Sequence, residues 1–207
     1  MSINIQGKVA LVTGANRGIG KATVESFLKH GASKVYLAVR NLDSVSQLVK
    51  SHGEKVQALH IDLEKPETIK SAAETANDVQ VVVSNAGVLR TADTLSDDAE
   101  EAFNYELNIN TFGLIRMAKA FIPVLEKNGG GAFGQLNSGA SIKNFFGFST
   151  YSASKAAAYS LTQGLRDSVA GKGINILSVH PGPIATDMAH DAGFTDQAEP
   201  VSSVSEG

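Results

Sequence analysis

Tyr151 and Lys155 stand four residues apart in a stretch of small, helix-compatible residues. On a helix that spacing puts both side chains on one face. A phenol titrates near ~10 and is a poor base at neutral pH unless a neighbouring ammonium stabilises its anion. Such a pair can give a proton to a developing alkoxide, or take one from an alcohol in the reverse direction. Ser138, thirteen residues before the tyrosine, adds a hydroxyl able to hydrogen-bond and orient a carbonyl oxygen. Asn110 offers an amide that could bind water and connect Lys155 to bulk solvent. These residue types suit the interconversion of a carbonyl and an alcohol. Of the four tyrosines, only Tyr151 has a lysine four residues downstream.

A second constellation is Thr13-Gly14-Ala15-Asn16-Arg17-Gly18-Ile19-Gly20, which follows the first apolar run directly and opens a helical stretch. In a dinucleotide site the first glycine permits a tight turn, the second lets backbone approach a pyrophosphate, and the third lets helix and sheet pack closely. The helix N-terminus then offers unpaired N–H groups to the phosphates. About twenty residues further on, where an acid would take the adenosine ribose 2′-hydroxyl, the chain reads Ala38-Val39-Arg40-Asn41. With no carboxylate there, Arg40 and Arg17 are either two solvated arginines or a clamp for a 2′-phosphate. Their position favours the clamp and NADP(H). Asp62 is placed either to meet the adenine edge or to cap the next helix.

The elements that must position these residues are legible as alternating strands and helices. Val9 to Val12, Val35 to Val39, Val56 to Ile61, Val79 to Val83, Ala132 to Leu136 and Ile174 to Val179 are short apolar runs, most of them nearly continuous rather than alternating. Strands covered on both faces have that pattern. Gly18 to His30 suits a helix ended by Gly31 as its C′ glycine. Ser96 reads as an N-cap ahead of Asp97, Asp98 and Glu100, which favour the positive end of a helix dipole. That helix is expected to run to about Phe121, because Pro123 removes a hydrogen bond from any continuation. A helix from about Ser152 to Val169 carries Ala157, Leu161, Leu165 and Val169 as its buried stripe. The tail from Asp191 to Gly207 is polar and turn-rich and reads as a loop or a flexible end. The alternation predicts an α/β fold, a doubly wound parallel sheet in three α/β/α layers, with residues 1–207 as a single domain.

Taken together the motifs resemble the short-chain dehydrogenase/reductase family, over essentially the whole chain and in the family's order. The glycine loop is followed by Asp62-Leu63, by Ser84-Asn85-Ala86-Gly87 after the fourth strand, and by Asn110 within Asn108-Ile109-Asn110. Ser138, Tyr151 and Lys155 come next, then Pro181-Gly182 with Thr186 after the sixth strand. The resemblance implies a Rossmann fold and a catalytic tetrad of Asn110, Ser138, Tyr151 and Lys155. It implies cofactor contacts from Gly14, Asn16, Arg17, Gly18, Ile19, Gly20, Arg40, Asp62 and Leu63. Asn85, Ala86 and Gly87 would line the same cleft, joined by Tyr151 and Lys155, with Pro181, Gly182, Ile184 and Thr186 at the nicotinamide. Basic residues at the Arg17 and Arg40 positions mark NADPH-preferring members. Ser84 replaces the commoner first asparagine of the Asn-Asn-Ala-Gly motif. Similar proteins continue for some tens of residues, so the family's usual C-terminal helix and seventh strand are expected to be missing. The sixth strand would then be an exposed edge. A homodimer or homotetramer is the assembly implied for a full-length chain.

Composition narrows the partners. A formal net charge of -3 with no run of like charge argues against a nucleic-acid arm or a polybasic membrane anchor. Zero cysteines exclude disulfides and thiolate catalysis. His30, His52, His60, His180 and His190 share no ligand spacing, so no metal is expected and each reads as a surface or helix-end residue. Asp97, Asp98, Glu100 and Glu101 read as a solvated helix start. The opening Met1 to Gln6 lacks the apolar core of a leader, and no segment approaches membrane-spanning length; a cytoplasmic protein is expected. Phe145, Phe146 and Phe148 fall between Ser138 and Tyr151, either as ordinary packing or as the wall of an apolar or aryl carbonyl site. Met188 and Phe194 could form a lid over it. The reading is an NADPH-linked ketone or aldehyde reductase. Its alternatives are a non-catalytic NADP-binding regulator on the same fold and a lyase or dehalogenase variant. Retention of Ser138, Tyr151 and Lys155 disfavours the first, and the intact glycine loop with Lys155 disfavours the second.

Overall fold

The computed structural model describes residues 4–206; the expectations touching Met1, Ser2, Ile3 and Gly207 lie outside them. The six apolar runs become β1 (Val9–Thr13), β2 (Lys34–Val39), β3 (Val56–His60), β4 (Val81–Ser84), β5 (Gly131–Leu136) and β6 (Ile174–Val179). They form one parallel sheet in the order β3-β2-β1-β4-β5-β6. The chain winds outward from β1 to β3, returns to β4 beside β1, and winds outward again. Between β1 and β4 the strand order reverses, and it is there that open parallel sheets present a ligand crevice.

The helices are α1 (Gly18–Lys29), α2 (Ser46–His52), α3 (Pro66–Thr75), α4 (Ala99–Glu106), α5 (Gly113–Lys127), α6 (Ser149–Ser168), α7 (Asp187–Asp191) and α8 (Ser202–Ser205). They cover both faces of the sheet. Successive side chains on a strand point to opposite faces, so β1 feeds two cores. Ala10 and Val12 join Val24, Val35, Leu37 and Val83 on one side. Leu11 joins Tyr36, Ile69, Val82, Phe121 and Phe133 on the other. This is the expected doubly wound, three-layer architecture.

Three local expectations are corrected. The helix foreseen from Ser96 to about Phe121 starts at Ala99, passes through a π-helical turn at Leu107–Phe112 and continues to Lys127. Pro123 is tolerated inside it because both Pro123 and Lys119, whose carbonyl loses its partner, are exposed. In α6 the foreseen stripe is met only in part: Val169 is buried and Leu165 packs on the core, but Leu161 is 39% exposed, and Tyr151, Ser154, Lys155, Ala158 and Thr162 make up most of the buried side. The third correction concerns the tail. Glu199 exchanges backbone hydrogen bonds with Pro183 and Ala185, Val204 packs on the core against α1, and Glu206 pairs with Lys29 at 2.8 Å. Among the described residues β6 is an edge of the sheet, and Leu177 on it is partly exposed.

Candidate active site

The glycine loop after β1 and the segments that follow β2, β4, β5 and β6 share one cleft of about 630 Å³. Of the residues named from the sequence, Gly14, Asn16, Arg17, Gly18, Ile19, Arg40, Asp62, Leu63, Asn85, Ala86, Gly87, Ser138, Tyr151, Lys155, Pro181, Gly182, Ile184 and Thr186 line it. Gly20 and Asn110 stand behind its wall. A Cβ on Gly20 would lie 2.2 Å from the Gly14 carbonyl oxygen and 2.6 Å from Asn85 Nδ2, so helix and loop close only without a side chain. Gly20→Ala is therefore expected to lose about 2 kcal/mol of stability, roughly 4–8 °C in Tm, together with dinucleotide affinity. Thermal melts with and without the nucleotide check this, and an unchanged Tm would show that the loop can move aside.

The cradle has the polarity an anion needs. Gly14 and Gly18 sit at φ +66° and +51°, the left-handed region open to glycine. No side chain caps α1 and no acid lies in its first turn. Its leading N–H groups therefore remain available, with the positive end of the helix dipole behind them. Thr13 ties the loop to the end of β4: its Oγ1 accepts from the Asn85 and Ala86 N–H groups at 2.9 Å each, and its carbonyl accepts from Asn85 Nδ2 at 2.8 Å. These residues fit a dinucleotide pyrophosphate. At the end of β2, Arg40 is exposed and makes no ion pair among the described residues. Arg17, the other expected clamp, instead bonds Asp187 of α7 at 2.6 Å, both side chains about two-thirds exposed. Asp62 caps its own turn by accepting from Glu64 N–H at 3.0 Å while also lining the cleft.

Across the cleft, the first turns of α6 present Tyr151 and Lys155, 8% and 4% exposed. Burial pushes the Tyr151 phenol up to about 12; a hydrogen bond with Ser138 pulls it down, and the carboxyl of Glu106 pushes it further up. Burial lowers Lys155 to about 8. Its Nζ donates to the Leu136 carbonyl at 2.9 Å and lies 5.8 Å from the centre of the Tyr151 ring. The expectation that the ammonium acidifies the phenol is not met in this arrangement. Desolvation dominates, and Tyr151 holds its proton at neutral pH. Ser138 is the N-cap of a short 3₁₀ turn at Gly139–Ser141, its Oγ accepting from Ala140 N–H at 3.1 Å.

Asn110 sits on the π-helical turn, 2% exposed. Its Oδ1 accepts from Val88 N–H at 2.9 Å, and its Nδ2 donates to the Val88 carbonyl at 2.9 Å and to Ser154 Oγ at 3.0 Å. The side chain thus fastens the segment after β4 to α6. At the mouth, Phe145, Phe148, Met188 and Phe194 line the cleft, whereas Phe146 is 96% exposed and does not. Phe148 and Phe194 pack with ring centres 5.4 Å apart.

Two residues were missed. Glu106 is fully buried on α4, one oxygen accepting from Arg90 N–H at 2.8 Å and the other without a partner. Burial raises its carboxyl above the ordinary range. His180, expected at the surface, is half-buried and hydrogen-bonded at both ring nitrogens. The one sequence signal is its place immediately before Pro181-Gly182. Among the described residues no group of three His, Cys, Asp or Glu could hold a metal ion, and no helix is long and apolar enough to cross a membrane.

A family model described as short chain dehydrogenase matches residues 8–197. The chain is 30% identical to the 3-oxoacyl-acyl-carrier-protein reductase FabG of Vibrio harveyi, across 99% of this chain and 85% of that one. It is 31% identical to an NADPH-dependent aldehyde reductase-like protein, chloroplastic, of Arabidopsis thaliana, across 97% and 81%. A short chain dehydrogenase from Burkholderia cenocepacia, solved in complex with NADP, superposes with a TM-score of 0.92 at 35% identity, covering 99% of this chain and 83% of that one.

Proposed function

The chain belongs to the short-chain dehydrogenase family, and we propose that it is an NADPH-dependent oxidoreductase that reversibly reduces ketones or aldehydes to alcohols. Residues 1–207 act as one dinucleotide-binding catalytic domain. The observation that carries this reading is the shared cleft: an uncapped, glycine-lined phosphate cradle and a buried, protonated phenol open into the same space. NADP(H) is the cofactor, in keeping with the NADP-bound relative and with an exposed Arg40 where an acid would select NAD. The Arg17–Asp187 pair is an exposed bridge worth about 1 kcal/mol or less, so a phosphate can displace the carboxylate.

When bound, the reduced nicotinamide supplies the hydride. Ser138 orients the substrate carbonyl by hydrogen bonding to its oxygen. Tyr151 gives its proton to that oxygen as charge develops, which suits a phenol still protonated at neutral pH. Lys155, one turn along α6, supplies the buried positive charge nearest the phenolate left behind. Phe145, Phe148, Met188 and Phe194 favour apolar or aryl carbonyls over sugars and charged acids.

Because Lys155 titrates at about 8, it is cationic below that pH and neutral above it. The rate of reduction is expected to be level from about pH 6 to 7.5 and to fall above 8, approaching about tenfold per pH unit. A rate that climbs steadily through pH 9 would remove Lys155 from this role. The function itself is tested by following nicotinamide absorbance as a panel of ketones, aldehydes, sugars and keto acids is added with NADPH. Oxidation of NADPH by small apolar carbonyls is expected. NADPH binding with no turnover across the panel would replace the enzyme by a nucleotide-binding regulator.

A further inference from the structure

His180 lies just beyond β6, and its ring joins two strand ends through a chain of hydrogen bonds whose directions are fixed. The Ser138 carbonyl can only accept, and Ser141 donates its hydroxyl hydrogen to it at 2.5 Å. Ser141 Oγ, 2.8 Å from His180 Nδ1, must therefore accept from the ring. Nδ1 carries the hydrogen, and that N–H also faces the Ser138 carbonyl at 3.3 Å. In a neutral imidazole Nε2 is then the acceptor, and Ser178 Oγ, at 2.7 Å, donates to it. Ser178 accepts in turn from Asn137 Nδ2 at 2.7 Å. Every hydrogen in the chain points from Asn137 toward the Ser138 carbonyl.

Packing holds the ring in this path. Tyr159 meets it edge to face, centres 4.5 Å apart at 83°. Tyr159 follows Tyr151 and Lys155 at four-residue steps on α6, so one stripe of that helix carries the proton donor, the lysine and the support for His180. Backbone bonds close the same joint, Asn137 N–H to the Val179 carbonyl and Gly139 N–H to the Pro181 carbonyl, each at 2.8 Å. The turn so clamped is the one whose Ala140 N–H fixes the Ser138 hydroxyl.

We infer that His180 is a positioning residue for Ser138, its Nδ1–H and its bare Nε2 together locking the Ser138–Ser141 turn to β6 and aiming the Ser138 hydroxyl into the cleft. The effect on turnover rests on the reductase reading above; the ring's tautomer does not.

Two measurements test it. Nitrogen-15 NMR of the imidazole in the intact protein at neutral pH should show Nδ1 protonated and Nε2 bare. A hydrogen on Nε2, alone or with Nδ1, overturns the chain as drawn; a proton at both sites would need Asn137, whose Oδ1 is buried without a partner, to turn its amide. In the reductase assay, His180→Phe keeps a ring against Tyr159 but removes both polar atoms. His180→Asn keeps an N–H donor close to where Nδ1 stands. His180→Phe is expected to lower kcat about tenfold, as loss of one well-made hydrogen bond does, with NADPH affinity unchanged and His180→Asn recovering most of the rate. Equal rates in the two variants, or a parent-like rate in His180→Phe, overturn the positioning role, and a poorly folding His180→Phe leaves the NMR result to decide. If the parent turns over nothing while its ring shows the Nδ1–H form, the reductase reading and the positioning role both fall, and only the hydrogen-bond chain stands.

Discussion

Tyr151→Phe is expected to lower kcat by roughly 10²–10⁴-fold, the range over which a positioned proton donor acts, with NADPH affinity held within about twofold. The contrast between the two effects is what makes the test sharp. Tyr151 is 8% exposed and packs with Ala140 and Phe148. Phenylalanine keeps that packing, so the fold and the cradle on the opposite side of the cleft are undisturbed. What is lost is the phenol hydroxyl that faces the cleft, its proton held at neutral pH because burial pushes it up to about 12. Thermal melting should show no loss of stability, since the variant removes a polar group that is largely cut off from water. Residual turnover within about threefold of the parent would assign the proton to another group, and Glu106, fully buried and within electrostatic reach of the phenol, would then be the first to examine.

Arg40→Asp should invert the cofactor preference, moving the ratio of kcat/KM for NADPH over NADH by roughly 10²–10³-fold. Two effects act together. Removing a charge-assisted hydrogen bond to a 2′-phosphate costs about 1.5–3 kcal/mol, and the introduced carboxylate both repels that phosphate and accepts from a free 2′-hydroxyl. Arg40 is exposed at the end of β2 with no ion pair among the described residues, so nothing structural depends on it and Tm should not change. An unaltered ratio would mean that Arg17 alone, released from Asp187, holds the phosphate.

The sheet was legible because β1, β2, β4 and β5 are buried on both faces and so nearly unbroken in apolar character; the edge strands β3 and β6 are each exposed at two positions, and all six were located to within two residues. The helices were less so, for a physical reason visible in α6. Its buried side is lined by hydroxyls whose hydrogens are satisfied locally, Thr162 to the Ala158 carbonyl at 2.8 Å and Ser154 to the Tyr151 carbonyl at 2.8 Å. Hydropathy ranks that side as surface and Leu161 as core, the reverse of what the fold does. Of the site, the glycine loop, Arg40, Ser138, Tyr151 and Lys155 could be read because each is tied to a strand end or to a neighbour at fixed spacing. Glu106 and His180 could not. Glu106 meets Arg90 across 16 residues and His180 meets Ser141 across 39. Arg17 lines the cleft, but its pairing with Asp187, 170 residues away, has no local signature.

The docking of α8 on α1 has a bearing on how the molecule is made. Lys29 and the core residue Val24 belong to a helix synthesised about 180 residues before Val204 and Glu206, which pack against it. At about 5–20 residues per second, some 10–35 s of translation separate the two. Throughout that interval the helix behind the phosphate cradle keeps one flank uncovered, a target for chaperones and for premature self-association.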